Sequence, residues 1–203
     1  DQEYAHNPDD RSLAYFLTEI GKLADELGLI KEYPPGYKLY RARPRPAGKR
    51  YKSPSELGPP PSDRATQSNR MNPPGIPMFY GAERRALACA EVGATLLSVG
   101  LFTTERSIQL LGLATLPKVP GFFADATREE TLGLSFLRDF SKQISQPVPR
   151  DDRSHIEYTP TQVFTEFLRD FPFVGGPIDG LRYPTATTQR GANVVLFADQ
   201  NDV

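Results

Sequence analysis

The chain has one cysteine, two histidines and no tryptophan in 203 residues. A lone Cys89 excludes an internal disulfide and fits a reducing compartment, so a cytoplasmic setting is expected. His6 and His155 stand in no motif with Cys89, which argues against a Cys–His nucleophile pair and against a zinc site; no metal is expected, and Cys89 reads as a small core residue. An excess of one charge sign is also missing. The net charge is −1 with 24% charged residues, so no bulk field favours a nucleic acid or a membrane surface. No stretch is long and apolar enough to span a bilayer, and none has the charged start and apolar core of a signal peptide. There are no repeats and no G-x-G-x-x-G, so a Rossmann domain is not expected. The chain starts at Asp1 without a methionine, as a processed or excised domain would, and an upstream segment is left open.

What is present suits one domain able to bury roughly 70% of its unfolded surface. Residues 8–28 carry an amphipathic helix: Asp9 or Asp10 caps it, Leu13, Phe16, Leu17, Ile20, Leu23 and Leu27 recur at helical spacing, and Gly28 ends it. We set residues 1–30 apart as this helical segment and residues 31–203 as the main domain, with the helix docked on it. Residues 37–43 alternate as a strand, placing Leu39, Arg41 and Arg43 on one face. The two arginines suit either a solvated face or a grip on a diphosphate. Of the 20 prolines, nine cluster in residues 44–77, a connection long enough to suggest a fixed flap. Strands are expected at 94–102, 107–115, 180–187 and 193–198, with helices at 128–144 and 160–171, and polar turns at Gly175-Gly176-Pro177 and Gln189-Arg190-Gly191. This order predicts an α+β fold, a mixed sheet flanked by helices.

Residues 63–92 look built for chemistry. An exposed polar loop holds Arg64, Asn69, Arg70 and the Asn72-Pro73-Pro74-Gly75 turn; a short strand from Ile76 delivers Tyr80; a helix from Ala82 follows. Leu87, Ala90 and Glu91 share a helical face, so Glu91 lies beside apolar surface and needs a partner or a function. A rim ion pair is the plainer explanation for such a glutamate, as a core aromatic is for Tyr80 and a strand-end turn for Asn193.

The order Arg70, Tyr80, Glu91, then Ile156-Glu157-Tyr158-Thr159-Pro160-Thr161-Gln162, Asp179-Gly180-Leu181-Arg182-Tyr183-Pro184-Thr185 and Asn193-Val194-Val195-Leu196-Phe197 resembles RES-domain proteins over residues 38–198. Thr185 stands where that family has serine. The resemblance implies an ADP-ribosyltransferase-like fold and a toxin that consumes NAD+, restrained by an antitoxin or immunity protein. NAD+ is then the substrate and phosphate a candidate co-substrate, with no bound cofactor. Glu91, Arg70 and Tyr80 become the catalytic candidates; Arg41, Arg70, Tyr80, Thr185 and Asn193 become substrate-binding candidates. Phosphorolysis and hydrolysis remain open at this point, as do an ADP-ribosyltransferase and a non-catalytic interaction domain.

Overall fold

The computed structural model describes residues 13–48, 51–121, 125–146, 158–186 and 190–202. The expected helix start at Pro8 with caps Asp9 and Asp10, both histidines, Ile156, Glu157, Thr187 and Gln189 lie outside the described residues.

Seven strands make one sheet: β1 (Ile30–Tyr33), β2 (Lys38–Pro44), β3 (Phe79–Ala82), β4 (Leu97–Thr103), β5 (Ile108–Gly112), β6 (Gly180–Pro184) and β7 (Ala192–Leu196), in the order β1-β5-β6-β7-β3-β2-β4. Among the described strands only β5 and β6 run parallel. A parallel pair cannot be joined by a hairpin, and the crossover here carries the helices α4 (Arg128–Ser145) and α5 (Thr159–Asp170). With α1 (Leu13–Glu26), the short α2 (Pro54–Leu57) and α3 (Arg85–Val92), the described residues hold five α-helices and a mixed sheet, the α+β class expected.

One face of the sheet is covered by α1, α4 and α5. Leu17, Ile20, Leu137, Phe140, Phe164 and Leu168 pack there against Leu111, Leu181, Tyr183 and Val195. Phe164 meets Phe136 and Phe140 edge to face at 4.9 and 4.7 Å, and truncating such a ring to alanine costs about 3–5 kcal/mol. The helical stripe of α1 thus docks on its own domain. The opposite face carries a smaller cluster, Leu39, Phe79, Ile108, Leu110 and Val194.

Gly180 fixes the centre of this arrangement. A Cβ there would lie 2.0 Å from the Val195 carbonyl oxygen, so only glycine lets β6 sit this close to β7.

Several expected boundaries move. β1 was not foreseen because Lys31 and Glu32 break its apolar pattern; an edge strand tolerates them, and β1 pairs only with β5. The strand expected from Ile76 starts at Phe79, since Pro77 has no N–H to give and the Ile76 carbonyl accepts from Asn72. Ala82 belongs to that strand, paired with Tyr40 and Asn193, so α3 begins later, at Arg85. The loop before β3 is not exposed throughout: Ala65, Met71 and Asn72 are buried, because the side chains of α5 bind its backbone.

Candidate active site

α3 runs from Arg85 to Val92, and Gly93, in the left-handed region at φ 61°, stops it. Leu87 and Ala88 anchor the helix on Ala82, with Tyr40 and Ala42 beside them; Ala90, expected inside, is exposed. Glu91 follows Leu87 by one turn and emerges at the exposed end of that face. A carboxylate in the last turn faces the negative end of the helix dipole, an unfavourable place worth about 0.3–1 kcal/mol.

Two donors offset this. Thr185 Oγ1 donates to Glu91 Oε1 at 2.7 Å and Asn193 Nδ2 donates to the same oxygen at 2.8 Å. Oε2 receives no hydrogen bond from any described residue. Asn193 sits in β7 opposite both Ala82 and Tyr183, so β3, β7 and β6 bring the three side chains together beneath α3. Thr185 and Asn193, expected as substrate contacts, here hold the carboxylate.

Tyr80 is aimed by a buried network. Its hydroxyl donates to Asn72 Oδ1 at 2.6 Å, and Asn72 Nδ2 donates to the Ile76 carbonyl at 2.7 Å. Gln162 of α5 donates to the Asn69 carbonyl at 2.7 Å and to Ser68 Oγ at 2.8 Å, tying the loop to the helical layer. Burial raises the Tyr80 phenol above its ordinary value, so it stays protonated. Tyr183, missed in the sequence, is likewise raised by burial, with Tyr80 and Glu91 adding to the effect; strand alternation from Leu181 would have placed it on this face.

Arg70 donates Nε–H to the Gln146 carbonyl at 3.0 Å and lies 4.9 Å over the Tyr158 ring. Gln146 and Thr185 both line a cleft of about 470 Å³ between α4 and the segments after β5 and β6, with Arg138, Lys142 and Thr115 on its walls. Among the described residues no carboxylate lines it. Lys142 was not foreseen; one turn beyond Arg138 on α4, it shares that helix's cleft-facing side.

Arg41 is not in the Glu91 cluster. It shares the Leu39 face of β2, whereas Tyr40 and Ala42 turn to α3. Its guanidinium lies 5.2 Å over the Phe79 ring, and its buried Nη1 has no hydrogen-bond partner among the described residues. Burial, with Arg43 beside it, pushes its pKa down, while nearby Tyr80 acts the other way. Arg43 donates Nη2–H to the Gly58 carbonyl at 2.6 Å, which ties the segment after α2 to β2. Arg64, in a short 3-10 turn, is exposed.

A family model of the RES domain matches residues 38–203 of the chain. The chain belongs to the RES-domain family. RES domains are associated with an NAD+-related toxin role and with toxin–antitoxin systems. No curated protein and no solved structure matches the chain. The RES match begins at β2, so α1 and β1 precede it while packing in the same sheet and core. Among the described residues, no group of three or more His, Cys, Asp or Glu side chains could hold a metal, and no helix is long and apolar enough to cross a membrane.

Proposed function

We propose that this RES domain cleaves the bond between nicotinamide and ribose in NAD+, with Glu91 as the group that stabilises the developing positive charge on the sugar. The observation that carries this reading is the Glu91 carboxylate, gripped through Oε1 by Thr185 and Asn193 with Oε2 left unbonded among the described residues, beside a cleft whose walls carry cations and no described carboxylate. Nicotinamide leaves as a neutral molecule from an already cationic centre and needs no proton. What the reaction needs is a fixed negative charge near an oxocarbenium-like ribose and cations that hold the diphosphate still. In this reading Glu91 Oε2 faces the ribose, Arg70 and Lys142 meet phosphate oxygens, and Tyr80 offers its ring. Arg41 completes the diphosphate grip; its buried Nη1, unpartnered among the described residues, supports that role.

The same cleft favours an anionic acceptor, because Arg138 and Lys142 attract inorganic phosphate more strongly than water. Phosphate attacking C1′ would give ADP-ribose 1″-phosphate and nicotinamide. A fold like that of ADP-ribosyltransferases belongs to this reading, as do cytoplasmic action and an antitoxin or immunity protein that covers the cleft. Incubating the protein with NAD+, with and without phosphate, and identifying products tests it. ADP-ribose 1″-phosphate formed only with phosphate supports phosphorolysis; ADP-ribose at equal rates in both buffers makes it a glycohydrolase. Intact NAD+ in both removes the proposal.

A further inference from the structure

Glu83 lies between β3 and α3 and has no part in the chemistry above. All of its hydrogen-bonding capacity is nevertheless taken. Oε1 accepts the Tyr37 hydroxyl at 2.8 Å and Arg182 Nε–H at 2.8 Å, while Oε2 accepts Arg182 Nη2–H at 3.1 Å and the Ala192 backbone N–H at 2.9 Å. Arg182 therefore meets the carboxylate as a fork, with both side chains only about a fifth exposed, at 21% and 22%. Burial pushes the Glu83 carboxyl up, but the bonds from Arg182 and Tyr37 outweigh it and hold the group below its ordinary value. The bond to Glu83 raises Arg182 in turn, so both stay charged.

The clasp sits on the back of the sheet. Arg182 pairs with Val194 of the smaller apolar cluster, whereas Tyr183 and Asn193, next along β6 and β7, point to the side where Glu91 lies. Each anchor is close in sequence to Glu91, Thr185 or Asn193. Ala192 immediately precedes Asn193, Arg182 stands just ahead of Tyr183-Pro184-Thr185, and Glu83 leads into the helix that carries Glu91. The connections are too short, and in strand too stiff, to absorb a slip between β3, β6 and β7.

We propose that the Glu83–Arg182 clasp is the positioning element that sets the spacing of Glu91, Thr185 and Asn193 from the opposite face of the sheet. It rests on the reading of those three residues as the working cluster. A forked, charge-assisted pair resists sliding because both bonds must lengthen together. The bonds it protects are 2.7 and 2.8 Å long, and a shift of about 1 Å would take them beyond hydrogen-bonding range.

Glu83→Gln tests this, because an amide NH₂ replaces one acceptor oxygen and turns a donor toward donors. Two quantities are read: the Asn193 side-chain amide signals in an NMR spectrum, assigned by their loss in Asn193→Ala, and kcat and KM for NAD+. Ile20→Val, in the helical layer, is the control for a general loss of stability. The clasp predicts displaced Asn193 signals and a kcat lowered roughly a hundredfold in Glu83→Gln, with KM within about twofold of the parent. Ile20→Val should move neither, and Tyr37→Phe, which removes only the bond toward β2, should leave the Asn193 signals in place. Should Glu83→Gln fail to fold, Arg182→Lys keeps the charge, loses the fork and should displace the same signals. Asn193 signals at parent positions in the folded clasp variant, or equally displaced in Ile20→Val, would overturn the proposal. If the parent leaves NAD+ intact, the functional reading fails, and the Asn193 signals alone still decide the clasp.

Discussion

Arg182 and Arg41 project from the same face of one sheet, yet they are treated in opposite ways. Arg182 meets a carboxylate through Nε–H and Nη2–H; Arg41 has a ring beneath it and a buried nitrogen with no acceptor among the described residues. A cation with its counter-charge built in gains little from an anionic ligand and serves the fold. A buried cation without one is costly to hold, and an anionic ligand would offset that cost. Glu91 falls between the two, with one oxygen held and the other open among the described residues, the arrangement the proposed cleavage calls for.

The largest effect is expected where that half-held state is broken. Replacing Thr185 by valine and Asn193 by leucine together should lower NAD+ turnover by about 3 kcal/mol of transition-state stabilisation, since two hydrogen bonds to a charged group are lost and such losses do not add fully. Turnover by the double variant within a few fold of the parent would mean that Glu91 does not need its holders.

Next comes the direct contrast between the arginines. Arg182→Met should lower the unfolding free energy by about 2–3 kcal/mol, because it strands Glu83 on a partly buried site. Arg41→Met should leave stability within about 1 kcal/mol or raise it, while weakening NAD+ binding by about 1.5–3 kcal/mol. Denaturant titration and ligand titration of both variants separate the two roles. Equal destabilisation by both would erase the distinction.

Acid sharpens it further. Glu83 has a folded value below its ordinary 4.5, so the stability from its pairing is complete above that value and is lost as pH falls through the lowered one. Between about pH 6 and pH 3 the parent should therefore lose more stability than Arg182→Met, which has no pair left to protonate. Parallel curves would show that the clasp contributes nothing measurable. The smallest effect belongs to Thr185→Ser, which keeps the hydroxyl that donates to Glu91; turnover should change by less than about 1 kcal/mol.

The Glu91 cluster was legible in the sequence because its members fall in ordered motifs and because a glutamate one turn from Leu87 demands an explanation. What joins them was not. The role of Thr185 and Asn193 as holders of Glu91 depends on β6 and β7 lying beside β3, a non-local pairing that no local periodicity announces. Glu83 and Arg182 look like ordinary exposed charges until the register Ala82↔Asn193 sets Glu83 opposite Ala192. Asn72 read as a turn residue, and only the packing of α5 on its loop makes it the acceptor for Tyr80. Helices with a clear apolar stripe, α1, α4 and α5, were visible at once; β1 was not, because an edge strand needs no such pattern.

The role proposed for Glu91 is to drive loss of nicotinamide from NAD+ through its open oxygen. It is tested most directly by the rate of nicotinamide release from NAD+ by the parent and by Glu91→Gln, compared at matched unfolding temperatures. The parent should release nicotinamide, and the variant should do so at a rate lower by the equivalent of about 2–4 kcal/mol. Equal rates in two equally stable proteins would contradict it.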